Sequence, residues 1–67
     1  MIEKDELLYD LLYVEDENEV RRNYAEYLER FFRNVYEASS AEEALQIYKK
    51  KKPAILIIDI NLGKQSG

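Results

Sequence analysis

The strongest strand signal in this chain is the stretch AILIID at residues 54–59. Its apolar part is rich in β-branched side chains, shows no polar alternation and leads directly into Asp59. A short continuous apolar run of this kind predicts a strand that is covered on both faces, as in a parallel sheet. Asn61 and Gly63 follow it and indicate a loop. We therefore predict a strand at about residues 54–59 that ends in an acidic side chain.

Two further strands are predicted upstream of this one. The stretch LLYVED at residues 11–16 has the same character, because an apolar run again stops abruptly at acidic side chains. Similar residues just before it leave the start of this strand open, and we place the strand at about residues 8–14. The stretch NVYEA indicates a short strand at about residues 34–38.

The segment after the first strand has apolar residues at helical spacing and predicts an amphipathic helix at about residues 17–32. The apolar positions of this helix are Val20, Tyr24, Tyr27, Leu28 and Phe31. Asp16 or Asn18 is expected to cap its start, since a short polar side chain there accepts a hydrogen bond from the first turn.

A second helix is predicted at about residues 40–52. Ser40 and Glu43 have the spacing of a capping box at its start. The lysines at 49–52 suit its carboxyl end, where cations complement the helix dipole, and they indicate this role rather than a binding patch. Pro53 prevents the helix from continuing.

The predicted order is therefore β-α-β-α-β, an α/β fold in which the helices serve as right-handed crossovers between parallel strands. In such a sheet the carboxyl ends of the strands meet at one edge, and ligands bind there. The first strand ends at Glu15 and Asp16, and the third ends at Asp59. If these strands are neighbours, three carboxylates converge in one crevice.

Converging carboxylates repel one another, so the site must hold a proton, spread its charges or bind a cation. Ligands that are all oxygen favour Mg²⁺, Mn²⁺ or Ca²⁺. An aspartate can also accept a phosphoryl group covalently, and a bound Mg²⁺ would reduce the repulsion between the two anions. Each acid also has a simpler interpretation as a solvated loop residue, and Asp16 has a second one as a helix cap.

The composition excludes several classes of function. The 67 residues contain no cysteine and no histidine, which removes disulfides, zinc sites built on these residues and the usual general base. The net charge of −4 argues against nucleic-acid binding. Neither a signal peptide nor a membrane-spanning run is visible, and we expect a cytoplasmic protein with no membrane partner.

These motifs resemble those of the receiver domain of two-component response regulators. LYVEDE at residues 12–17 resembles the first strand and acidic pair of that family, and DINLGKQSG at 59–67 resembles the acceptor aspartate and its loop. SSAEEAL at 39–45 resembles the opening of the second helix. The resemblance covers almost the whole chain, and it implies a partial flavodoxin-like three-layer sandwich with strand order 2-1-3.

The resemblance also implies a function, a cofactor and a partner. Asp59 would accept a phosphoryl group from a sensor histidine kinase, so the chain would be a signalling module rather than an enzyme. Asp16 and Asp59 would ligate Mg²⁺ directly, Glu15 would act through metal-bound water, and the backbone carbonyl of Asn61 would be a further ligand. Gly63 departs from the family pattern, which has proline there, and this loosens the loop.

A larger departure is that the 67 residues match only the N-terminal half of the receiver fold and stop after the third strand. The family's switch Ser or Thr on strand four and its Lys on strand five have no counterpart, and Lys64 is in the wrong place to substitute. We expect impaired phosphotransfer and a homo-oligomer that forms through the exposed edge of the third strand.

Two other functions remain open at the level of the sequence. The chain could be a non-catalytic fragment that self-associates or docks to a partner and carries a vestigial acidic site. It could also be an enzyme of another class, because Glu15 with Asp59 and Asn61 faintly resembles a toprim phosphotransfer site. A haloacid-dehalogenase-like interpretation is weaker, since that family places its nucleophile on the first strand. Mg²⁺ binding and acceptor chemistry at Asp59 distinguish these possibilities.

Overall fold

The computed structural model describes residues 7–60, which form a three-stranded parallel sheet and two helices. The elements are β1 (Asp10–Glu15), α1 (Asn18–Leu28), β2 (Asn34–Ala38), α2 (Ala41–Lys51) and β3 (Ile55–Asp59). The strand order is β2-β1-β3, and β1 pairs in parallel with both neighbours. The predicted β-α-β-α-β order and the 2-1-3 arrangement of a partial flavodoxin-like fold are confirmed.

The central strand β1 forms the core because it is covered on both faces. Leu11 and Tyr13 are buried against α1, together with Ala25. Leu12 and Val14 are buried on the opposite face, against α2 and Ala38. The alternation of side chains along a strand explains this division, since neighbouring residues point to opposite faces. The result is three layers, with the sheet between the two helices.

The ends of β1 and α1 differ from the prediction. β1 begins at Asp10 rather than near residue 8, and its first register partner on β2 is Asn34. It extends through Glu15, whose partner on β3 is Asp59. The predicted caps are also wrong, because the residue before α1 is Glu17 and its side chain makes no capping hydrogen bond.

Helix α1 ends at Leu28, four residues before the predicted end. The backbone N–H groups of Arg30 and Phe31 donate to carbonyls three residues earlier, which tightens the chain into turns. The backbone of Arg33 then donates to the carbonyl of Tyr9 at 2.7 Å, and its side chain binds the Asp10 carboxylate at 3.0 Å. These bonds draw the chain towards the start of β2. The helix therefore ends before the helical spacing of apolar residues in the sequence does.

Helix α2 follows the prediction closely. The Ser40 hydroxyl accepts a hydrogen bond from the backbone N–H of Glu43 at 3.2 Å. The Glu43 carboxylate accepts in turn from the backbone N–H of Ser39 at 2.7 Å, one residue earlier than in the usual capping box. Lysines occupy the last turn, and Lys52 closes the helix in the left-handed conformation with φ of 47°.

Strand β3 differs from the prediction in its burial. It pairs with β1 on one side, and no strand among residues 7–60 pairs with its other edge. Both helices lie over β1 and β2, so Leu56 stays 50% exposed and Ile58 stays 61% exposed. The apolar composition predicted a strand covered on both faces, whereas in the described residues each face of β3 is open.

Candidate functional site

The carboxyl ends of β1 and β3 bring the predicted acidic residues together. Glu15 and Asp59 are register partners on adjacent parallel strands, whose backbones lie about 4.8 Å apart. Asp16 follows Glu15 at the same edge and is exposed, as is Asp59. Asn61, the fourth predicted metal ligand, lies outside the described residues. This edge of the sheet therefore carries one buried carboxylate, that of Glu15, and two accessible ones, those of Asp16 and Asp59.

Glu15 is the buried member of this group, at 4% exposure. Its Oε2 accepts a hydrogen bond from the backbone N–H of Glu17 at 2.9 Å. This bond lowers the pKa of Glu15, but burial and the neighbouring Asp16 and Asp59 outweigh it and raise the pKa above its usual value. A carboxyl whose charge is opposed by two acidic neighbours is stabilised by a cation.

The donor set suits a hard divalent cation, although its geometry is not that of a finished metal cage. Within residues 7–60, no group of three acidic side chains is already arranged to hold a metal ion. Mg²⁺ does not require one, because it keeps several waters and binds through one or two carboxylates together with phosphate oxygens. Asp16 and Asp59 are exposed at the strand ends and fit this mode of binding.

A basic side chain next to the acidic edge was not predicted from the sequence. The Arg21 guanidinium donates from Nη1 to the Glu15 backbone carbonyl at 3.0 Å and from Nε to Oε1 of Glu37 at 3.2 Å. Its Nη2 donates to Oδ1 of Asn18 at 2.8 Å. Arg21 lies between the apolar positions of α1, and the sequence pattern therefore indicates only an ordinary polar residue of an amphipathic helix. No signal in the sequence distinguishes it from Arg22.

Tyr13 was also missed as part of the site. It is buried on the α1 face, and its ring meets that of Tyr24 edge-on, with 6.5 Å between centroids. Burial raises the pKa of Tyr13, and the charges of Glu15 and Asp59 raise it further. A cavity of about 330 Å³ joins both tyrosines to Asp59 and Ile57. A tyrosine two residues before an acidic strand end was the available signal, because alternation places both on one face.

Comparison with protein families identifies the family to which this fold belongs. The model of the response regulator receiver domain matches residues 11–67, from the start of the buried part of β1 through Asp59 and beyond. The chain belongs to the response regulator receiver domain family. Searches of curated proteins and of solved structures give no significant match.

Membership of this family has direct consequences. Receiver domains are signalling modules of two-component systems, and in general they bind Mg²⁺ at their acidic site. The family match covers both strand ends that carry the acids. It sets aside the toprim-like and haloacid-dehalogenase-like interpretations of the same residues. Within residues 7–60, no helix has the length and apolar character that crossing a bilayer requires.

Proposed function

We propose that this receiver domain accepts a phosphoryl group on Asp59 in a Mg²⁺-dependent reaction, with a sensor histidine kinase as donor. The observation that carries this proposal is the pairing of Asp59 with the buried Glu15 across adjacent strand ends, with Asp16 beside them. A module that is phosphorylated by such a kinase acts in the cytoplasm, where ATP supplies the phosphoryl group.

The chemistry assigns a role to each carboxylate. An Asp59 carboxylate oxygen forms a new P–O bond to the phosphorus as the P–N bond of the donor phosphohistidine breaks, and the released imidazole takes up a proton. Asp16 and Asp59 would hold Mg²⁺ directly, Glu15 would hold it through water, and the Asn61 carbonyl would be a further ligand. The ion supplies positive charge where two anions approach each other.

The yield of this reaction is expected to be low for these 67 residues alone. The lysine and the Ser or Thr with which the family contacts the phosphoryl group have no counterpart in the sequence. Loss of such contacts weakens stabilisation of the charge that is transferred. The proposed acceptor aspartate and its proposed metal ligands are present in the sequence, so we expect a slow reaction rather than none.

The test is incubation with acetyl phosphate and Mg²⁺, read by mass spectrometry as the gain of one phosphoryl group. Asp59→Asn is expected to abolish the gain. Asp10→Asn is the matched control, because Asp10 lies at the opposite end of β1 and pairs with Arg33. Labelling that survives Asp59→Asn would contradict the proposal, as would labelling that does not need Mg²⁺.

Metal binding is measured separately by titrating Mg²⁺ and following tyrosine fluorescence, since Tyr13 lies beside the acids. Saturable binding that Asp59→Asn weakens supports the assignment of the ligands. A folded protein that shows no binding in either form contradicts it. The acidic residues would then be vestigial in this chain.

A second proposal is that two copies of the chain associate through β3. No strand among residues 7–60 pairs with its outer edge, which leaves backbone donors and acceptors available there, and Leu56 and Ile58 lie exposed beside it. A two-fold axis through the edge makes the pair antiparallel. In this arrangement the lysines before β3 of one copy would lie at the same end of the joined sheet as Glu15 and Asp16 of the other, which favours the pairing electrostatically.

Sedimentation velocity over a range of concentrations tests this association. The expected result is a dimer that dissociates on dilution and is lost in Leu56→Lys, because a charge cannot be buried in the apolar seam without a large cost. Glu42→Lys changes an exposed residue on α2 rather than one on β3 and serves as the control. A monomer at every concentration would refute the proposal.

A further inference from the structure

The Arg21 side chain makes three hydrogen bonds, although arginines on the surface of a helix are commonly solvated. Its side chain is only 15% exposed. The three donor nitrogens reach three different parts of the fold: the end of β1 at Glu15, the strand β2 at Glu37 and the start of α1 at Asn18. The planar guanidinium presents its donors in a rigid fork, which a lysine ammonium cannot reproduce.

The bond to Glu15 is made to its backbone carbonyl rather than to its carboxylate. This carbonyl belongs to the peptide group that joins Glu15 to Asp16. A donor that holds the carbonyl fixes the plane of the peptide, and with it the direction in which the chain leaves Glu15 towards Asp16. Arg21 therefore acts on the position of Asp16 without contacting its side chain.

A second bond holds the same turn from the other side. The Glu15 carboxylate accepts from the backbone N–H of Glu17 at 2.9 Å, which closes the chain around Asp16. Residues 15–17 connect the end of β1 to the start of α1 and are thus tied at both flanks of Asp16. Asp16 itself is exposed, and these two bonds made by its neighbours restrain the backbone on either side of it.

We propose that Arg21 is a positioning residue that presents Asp16 to the metal by holding the peptide between Glu15 and Asp16. This inference rests on the proposed Mg²⁺ site and names a residue outside its ligand set. Groups that orient a ligand from outside the ligand set change metal affinity by about 10–100-fold when they are removed. A rigid ligand also loses less conformational entropy on binding than a mobile one.

Arg22 provides a matched control on the same helix. It is 66% exposed and approaches the same Glu37 carboxylate, with 3.8 Å between Nη1 and Oε2. The charge, the helix and the acidic partner are shared by the two arginines. Arg21 alone of the two is hydrogen-bonded to the Glu15 carbonyl and to Asn18, so Arg22→Met controls for the loss of a helix arginine that approaches Glu37.

The experiment compares wild type with Arg21→Met, Arg21→Lys and Arg22→Met. Three quantities are measured: the Mg²⁺ dissociation constant, the amide hydrogen-exchange rates of Asp16 and Glu17 in metal-free protein, and the midpoint of urea unfolding. Arg21→Met is expected to weaken Mg²⁺ binding about 10-fold and to accelerate exchange at both amides. Arg22→Met is expected to change neither, and Arg21→Lys is expected to fall between them.

The outcomes separate positioning from a purely structural role. If Arg21→Met lowers the urea midpoint but leaves Mg²⁺ affinity and the two exchange rates unchanged, Arg21 only joins α1 to β2 and the inference is wrong. If Arg21→Met does not fold, Arg21→Lys decides by the same criteria. If the wild-type protein binds no Mg²⁺, the proposed metal site is wrong whatever the role of Arg21. Exchange at Asp16 and Glu17 then decides whether Arg21 holds the turn.

Discussion

Leu12 and Leu56 allow a direct test of which parts of the sheet are covered. They are register partners on β1 and β3 and carry the same side chain on the same face. Leu12 is 0% exposed, whereas Leu56 is 50% exposed. Replacing each with alanine in turn removes the same atoms from neighbouring sites that differ in burial.

The expected difference follows from that burial. Leu12→Ala leaves a cavity in a closed cluster and should cost about 3 kcal/mol, within the usual range for buried leucines. Leu56→Ala removes a half-exposed side chain and leaves no closed cavity, so its cost should be about 1 kcal/mol. A domain of 67 residues has a free energy of unfolding of about 3–10 kcal/mol, so the first change is severe.

Urea unfolding followed by circular dichroism measures the two costs. With a slope of about 1 kcal/mol per molar urea, the two midpoints should differ by about 2 M. Each variant is measured at two protein concentrations. Equal costs that do not depend on concentration would refute the reasoning, since β3 would then be covered within a single copy. A cost of Leu56→Ala that rises with concentration would instead show that another copy covers it.

Three further changes test local features of the structure. Ser40→Ala removes the side-chain cap of α2 and should lower the free energy of unfolding by about 1 kcal/mol in urea unfolding. Lys52→Gly relieves the left-handed conformation at φ of 47° and should raise it by about 1 kcal/mol in the same assay. The raised pKa of Glu15 means that the folded state holds this proton more tightly than the unfolded state does, so stability falls as pH rises through that pKa. Glu15→Gln should remove this fall and raise the midpoint of thermal unfolding at neutral pH, and an unchanged pH profile would contradict the assignment.

The element order and the acidic strand ends were predictable because they depend on local patterns. Continuous apolar runs that stop at acids predicted β1 and β3, and helical spacing with a serine cap predicted α2. Parallel strands joined by crossover helices then follow from chain connectivity, and their carboxyl ends must share one edge. The pairing of Glu15 with Asp59 follows once β1 and β3 are neighbours.

Other features were decided only by tertiary contacts. The apolar period of α1 continues to Phe31, yet the helix ends at Leu28 because turn bonds and the pairing of Arg33 with Asp10 redirect the chain. The composition of β3 indicates burial on both faces, but burial depends on which helices lie over the strand. Both helices lie over β1 and β2 instead.

Arg21 is a feature of the candidate site that could not be predicted from the sequence. By itself the sequence determined which residues are acidic and that strands end beside them. It could not distinguish Arg21 from Arg22, since adjacent arginines on a helix are equivalent until the helix packs. The tertiary structure directs Arg21 to a carbonyl on β1 and a carboxylate on β2, whereas Arg22 remains largely in solvent. A residue that acts by orienting another is determined by its contacts, and contacts between separate elements exist only in the folded chain.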